Sequence, residues 1–338
     1  MRKIFTLMLL VVVLLAMLIP SVSEAKSKKN KNKKAEVKST VPVVSNVPEI
    51  KIKSNKPKGW QPEIKVGILS KDAKNPKVEI KTIKVEEYLR GVLPKEMSPS
   101  FNEEALKAQA VAARTFALKN RKRHQSEGYD LCNTTHCQIY NGLSDSHERS
   151  DWAIDETFGE VLFYNDKLIQ ASFHTDSGGM TENAVDVWGT DFPYLRASTE
   201  IETKTMPWTV KITLKDFSNK LAANKKNIGD VKFVKITNME IGKITDDRST
   251  SGRVKELTVV GSAAQVKLTG SDMRQIFGLK STLFDVSLSG DEVVINGYGW
   301  GHGVGLSQCG AQTFAENGYT YDKILSHYYK GTTLKRLY

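Results

Sequence analysis

The 338-residue sequence predicts an α+β protein: a mixed core domain with an inserted, strand-rich subdomain. Three observations predict this class. Apolar β-formers cluster at Ile64 to Ser70 and Val78 to Val85; a long helical pattern follows Asn102; and a fresh series of strands with two short helices runs from Met206 to about Leu288 before core-like sequence resumes. The expected core is 61–205 and 290–338, the insert 206–289, and two further segments, 1–25 and 26–60, precede them.

Arg2 and Lys3 precede an apolar run from Ile4 to Ile19, broken only by Thr6, and Pro20 and small residues to Ala25 follow it. This is an export signal; its length leaves both a cleaved signal peptide and an N-terminal membrane anchor open, and Ser23 and Ala25 offer a cleavage site. The stretch 26–60 has eleven lysines against Glu36 and Glu49 and no helical period, which fits a basic disordered tether. The chain carries +11 in all; the tether takes +9 and the leader +1, so 61–338 is nearly neutral. The basic charge belongs to a tail beside anionic lipid or wall polymer, and nucleic acid is excluded as a partner.

The two clusters at Ile64 and Val78 read as strands joined by a turn at Asp72 to Pro76. Asn102 caps the next helix, with Glu103 and Glu104 in its first turn, one face of Leu106, Ala110, Ala113 and Ala117, and basic residues from Lys119 to Arg123 at its end. Val161 to Phe173 reads as two strands around Asn165 and Asp166. Beyond the insert, Val293 to Ile295 returns to core-like sequence, a glycine-rich stretch runs from Gly297 to Gly310, and helices follow near Gln308–Glu316 and Tyr321–Tyr329. Three cysteines, Cys132, Cys137 and the distant Cys309, make no disulfide framework.

Four ordered segments stand out: EEYLRGVLPKEMSPSF at Glu86 to Phe101, EALKAQAVAARTFAL at Glu104 to Leu118, FHTDSGGMTE at Phe173 to Glu182, and GYGWGHGVGLSQCGA at Gly297 to Ala311. Together they resemble the stage II sporulation protein D family, from about Ile64 to the C-terminus. The resemblance implies a peptidoglycan lytic transglycosylase of sporulation or, in the amidase-enhancer branch, a modifier of a wall amidase. It also implies an extracytoplasmic, membrane-associated setting in a spore former. The implied partners are glycan strands stripped of peptide, the sporulation amidase and a membrane protein of the engulfment machinery.

Glu96 is the expected catalytic residue. It follows Pro94 just ahead of the capped helix, so the sequence places it on a stiff turn, and its apolar neighbours Leu93 and Met97 would raise its pKa enough to protonate a glycosidic oxygen. Lytic cleavage needs only this residue, because the muramic acid's own 6-hydroxyl attacks the anomeric carbon. A conventional hydrolase needs a second carboxylate about 5 to 9.5 Å away, for which Asp176, Asp186 and Asp191 are the candidates.

Arg114, His174, Ser177, Gly178, Gly179, His302 and Gly303 are the expected substrate-binding residues. Arg114 either holds substrate, orients Glu96 or sits as a satisfied, partly buried guanidinium among alanines. His174, Thr175, Ser177, Gly178 and Gly179 follow a strand end where backbone can approach a sugar, or else form a tight turn. His302 stands among Gly299, Gly301, Gly303 and Gly305, and no Gly-Lys-Ser/Thr accompanies them as a phosphate loop requires. Trp188 and Trp300 are candidates to stack on sugar rings; Trp208 and Lys211 are weaker ones.

Cys132, His136 and Cys137 form a C-x3-H-C cluster that fits one zinc ion, with His124 as candidate fourth ligand. A Cys132–Cys137 disulfide is the competing reading. The resemblance favours zinc, in a closed structural site with no catalytic part. Cys309 reads as packed rather than reactive.

Overall fold

The computed structural model describes residues 59–70, 77–202 and 204–338. The expected leader, the tether up to residue 58 and the Asp72 to Pro76 turn lie outside these residues. No helix among the described residues is long and apolar enough to cross a membrane.

The chain opens with an antiparallel pair, β1 (Glu63–Leu69) and β2 (Val78–Lys84), in which Glu63 stands opposite Lys84. Helix α1 (Val85–Glu96) follows without a break, and here the structure corrects the sequence reading of a turn after Pro94. Proline in the last turn forfeits only one internal N–H donor, so the helix continues through it, and Glu96 is the final helical residue.

Helix α2 (Glu103–Lys119) is the axis of the larger core. Asn102 caps it, its side chain accepting from the Glu104 amide at 3.0 Å. The expected apolar face is only part of the picture, because every residue from Ala108 to Leu118 is buried. Alanine supplies Ala105, Ala108, Ala110, Ala112, Ala113 and Ala117, and these short side chains let several elements close around the helix at once. Those neighbours are α1, α3 (Glu148–Glu156) and β4 (Glu160–Tyr164), together with α7 (Gln308–Glu316) and α8 (Tyr321–Tyr328) from the far end of the chain.

Small sheets surround this axis. Strand β3 (Leu131–Cys132) runs parallel to β1, and β4 pairs with both β5 (Lys167–Leu168) and the terminal β14 (Thr333–Arg336). Asn165 and Asp166 turn the β4–β5 hairpin at φ of 48° and 58°, the left-handed pair that such a two-residue turn requires. Strand β6 (Phe173–His174) runs parallel to β13 (Leu306–Ser307) and joins two of the four sequence motifs. The short helix α4 (Ala184–Trp188) lies between them in the chain.

A second hydrophobic cluster gathers Trp208, Phe217, Leu221, Leu268, Phe284, Val293 and Ile295 among others, with Phe217 and Phe277 stacked at 4.4 Å. Its elements are β7 (Trp208–Thr213), α5 (Leu214–Ala223), β8 (Val231–Lys235), β9 (Glu256–Gly261), β10 (Gln265–Thr269), α6 (Gly270–Phe277), β11 (Phe284–Ser289) and β12 (Glu292–Gly297). They form two three-stranded sheets, β10-β9-β8 and β11-β12-β7. The division expected at 289/290 therefore falls inside the β11–β12 hairpin, and Val293 and Ile295 pack here rather than around α2. Alternating apolar residues announce a buried strand; they do not say which sheet will bury it.

Candidate active site

An open cleft of about 610 Å³ runs along one side of the molecule, lined by residues from all four sequence motifs or their immediate neighbours. Glu96 from the end of α1, Phe116 from α2, His174 and Thr175 from β6 and its turn, and Trp300, Gly301 and His302 from the glycine-rich stretch face it. Trp188, Thr190 and Phe192 form another part of its wall.

Among the described residues, Glu96 is the only carboxylate lining this cleft. The Ile139 amide donates to its Oε1 at a long 3.3 Å. Burial raises its pKa above the ordinary glutamate range, and the one weak amide contact only partly opposes this. Its place in the last turn of a helix, where carbonyl groups converge, disfavours the charged form as well. The three candidates for a second carboxylate all face elsewhere. Asp176 accepts from the Gly178 amide at 2.7 Å and the Thr205 hydroxyl at 2.7 Å, Asp186 accepts from the Asn183 amide group, and Asp191 pairs with Arg196.

His174 and His302 meet because residues 173–182 run alongside 299–307, through the β6–β13 pairing and the bridges Asp176–Trp300 and Glu182–Val304. Their ring centroids lie 5.4 Å apart, and Trp188 approaches the His302 ring edge-on at 5.3 Å. Gly301 makes this approach possible: at φ +113° it lies so close to His174 that a Cβ would stand 2.8 Å from the histidine's own Cβ. Burial, with His302 and Arg253 nearby, holds His174 well below the usual imidazole range, and burial pushes His302 down to about 4. Both rings are therefore neutral at pH 7. The Val304 amide donates to His302 Nδ1 at 3.0 Å. The Val304 carbonyl lies 3.2 Å from His174 Nδ1, so that nitrogen carries the proton and Nε2, buried and without a partner, presents a bare lone pair.

The remaining expected substrate residues lie behind the cleft wall. Arg114 is wholly buried and donates through Nε and Nη2 to the two Glu86 carboxylate oxygens, both at 2.8 Å, with further bonds to the Glu160 and Ile154 carbonyls. It is a satisfied core ion pair that ties α2 to α1. Ser177, Gly178 and Gly179 fold into their own turn: the Gly179 amide donates to Ser177 Oγ at 3.0 Å, and Ser177 is fully buried. Gly303, at φ +83°, makes room for a guanidinium, since a Cβ there would stand 2.5 Å from Arg253 Nε. Trp208 is buried and donates to the Gly299 carbonyl. Burial pushes the Cys309 thiol up to about 12, in keeping with a packed cysteine.

One end of the cleft adjoins the cysteine cluster. Cys132 and Cys137 are free thiols, which removes the disulfide reading. The ligand atoms of His124, Cys132, His136 and Cys137 all lie within 4.8 Å of one another. His124 Nε2 is 3.4 Å from Cys137 Sγ, and His136 Nδ1 is 3.7 and 3.6 Å from the two sulfurs. Tetrahedral coordination at ordinary metal–nitrogen and metal–sulfur lengths separates such ligands by about 3.6 Å. His124 Nδ1 meets the Glu127 carboxylate at 2.6 Å, an outer partner that fixes Nε2 as the ligating nitrogen. These four side chains can hold a metal ion.

The sequence reading missed two residues of the 206–289 region, Arg253 and Arg274. Arg274 lines the cleft, and both line a side cavity of about 60 Å³ that shares Arg274 and His302 with it. Neither belongs to a motif, and in sequence each looks like any surface arginine. Gln170 at the cleft was likewise unmarked, and Gln308, inside the fourth motif, was given no role.

Comparison with known proteins agrees with this picture. A family model described as stage II sporulation protein matches residues 74–164, and one described as a domain of unknown function matches residues 185–305. The chain is 33% identical over 275 residues to stage II sporulation protein D of Bacillus subtilis, covering 75% of each chain. It is 33% identical over 276 residues to the Bacillus amyloliquefaciens protein of the same name, again covering 75% of each. It is 32% identical to the amidase enhancer of Bacillus subtilis over 73% of this chain, which spans only 40% of that relative. With the four motifs brought to one cleft and relatives matched over three quarters of their length, the chain belongs to the stage II sporulation protein D family.

Proposed function

We propose that the protein is a lytic transglycosylase that cuts the β-1,4 bond between N-acetylmuramic acid and N-acetylglucosamine in peptide-stripped peptidoglycan during sporulation. The observation that carries this reading is the single carboxylate of the cleft: Glu96 stands there without a second acid. Glu96, its pKa raised by burial, gives its proton to the glycosidic oxygen as the bond to the muramic acid C1 breaks. The resulting carboxylate takes the proton from the same sugar's 6-hydroxyl as that oxygen bonds to C1. The products are a 1,6-anhydro end and a free 4-hydroxyl, and Glu96 regains its proton.

In this reading Trp188 and Trp300, each substantially exposed at the cleft, stack on sugar rings. His302 holds the tryptophan side of the wall. Zinc is the ion that the two cysteines and two histidines fit, and it would supply a structural cross-link that fixes the loop beneath Glu96's Ile139 contact. The leader delivers the chain to the extracytoplasmic side, the basic tether keeps it by the membrane, and the sporulation amidase and a membrane protein of the engulfment machinery work beside it.

A second reading, a glycan-binding activator of a wall amidase, is favoured by the likeness to an amidase enhancer. Incubating the purified chain with peptide-free glycan strands separates them. The transglycosylase reading expects cleavage by the chain alone and a drop of at least about 10³ in rate for Glu96→Gln; no cleavage without an added amidase would favour the activator.

A further inference from the structure

The wall of the cleft beside His302 carries two cations that the reaction above does not use. Arg253 is 2% exposed; it donates through Nη2 to the Ser177 carbonyl at 2.6 Å, while its Nε and Nη1 have no partner. Among the described residues no carboxylate lies within ion-pair distance of Arg253 or Arg274. Glu182 and Asp186 line the same side cavity, but the Glu182 oxygens are engaged by the Ser249 and Ser251 hydroxyls and the Asn183 amide, and Asp186 accepts from the Asn183 side chain. Arg274 contributes one weak bond, 3.3 Å to the Leu279 carbonyl, and stands where the side cavity meets the cleft.

Unused guanidinium donors held in a desolvated wall are an unfavourable arrangement unless an anion completes them. Burial lowers Arg253 to about 10, with Glu182 and Glu200 opposing it only in part, and burial lowers Arg274 as well. The planar fork of arginine matches a carboxylate.

We propose that Arg274, backed by Arg253, forms a carboxylate subsite beside His302 that reads the lactyl carboxylate of a muramic acid from which the peptide has been removed. This rests on the glycan reading above and assigns its selectivity to residues of the 206–289 region. A stem peptide converts that carboxylate to a neutral amide, so the subsite distinguishes stripped from substituted strands.

The test measures binding rather than cleavage, in the full chain carrying Glu96→Gln, so that failure of the catalytic reading leaves it interpretable. Three probes are compared: peptide-free strands, the same strands with lactyl carboxylates converted to primary amides, and strands bearing stem peptides. The expected result is binding of the free-carboxylate strands at least about tenfold tighter than the amidated ones, about 1.4 kcal/mol. Adding Arg274→Gln should abolish that preference, and Arg274→Lys should restore part of it. Equal binding of acid and amide strands overturns the proposal without any variant being needed, as does a preference that survives Arg274→Gln. Binding of stem-bearing strands as tight as the free-acid strands would place the carboxylate in the peptide and also overturn it.

Discussion

Replacing Arg114 by methionine separates a core role from a substrate role. Arg114 and Glu86 are buried together, with side-chain exposures of 0% and 5%. Burial works against the arginine's charge, and Glu86 more than offsets it, leaving Arg114 above its usual range. Removing the guanidinium strands the Glu86 carboxylate with only the Gly159 amide and the Tyr338 hydroxyl, and also abandons the Ile154 and Glu160 carbonyls. Breaking one side of such a pair costs about 3–5 kcal/mol, which for a chain of this size lowers Tm by roughly 10 °C. Urea unfolding followed by circular dichroism reads it directly. The double replacement Arg114→Met with Glu86→Gln should regain much of the loss, because no charge is then left alone. A single variant within about 1 kcal/mol of the parent, combined with lost glycan cleavage, would refute the argument and return Arg114 to the substrate.

Three further outcomes are expected. Gly303→Ala introduces a Cβ 2.5 Å from Arg253 Nε at φ +83° and should lower unfolding stability by about 2 kcal/mol, measured by the same urea titration. His302 has its folded pKa near 4, below the unfolded value near 6.5; the unfolded chain binds that proton more readily, so stability is full above about pH 6.5 and falls toward pH 4. The limit for this one group is roughly 3 kcal/mol, His174 adds in the same direction, and a series of Tm values from pH 7 to 4 checks it. Chelation with 1,10-phenanthroline should release one zinc per chain by elemental analysis and lower Tm by more than about 5 °C, and Cys132→Ser should reproduce the shift.

What could be read from the sequence follows from how each residue acts. The Asn102 cap, the Asn165–Asp166 turn and the four-residue His/Cys cluster depend on residues nearby in the chain, so their spacing carries the information. The meeting of Glu96, His174 and His302 in one cleft was legible only through the resemblance, since they come from separate elements. Arg114 shows the limit: a helical period says that it faces away from Leu106, but not that Glu86 waits there. The Ser177–Gly179 turn and Gly303 look like ligand-facing backbone in sequence, whereas their glycines relieve contacts inside the protein. Arg253 and Arg274 were invisible because an arginine that bonds only to backbone carbonyls beside a cavity has no sequence signature.

The lone carboxylate in the cleft is the central claim, and the chemical nature of the new chain ends tests it most directly. Mass spectrometry of the products from peptide-free glycan strands should show 1,6-anhydro-muramic ends, formed only when Glu96 is present. The pH–rate profile should fall on its alkaline side as the raised Glu96 carboxyl loses its proton. Reducing ends formed by water would contradict the account, because conventional hydrolysis uses a second carboxylate that the cleft residues do not provide.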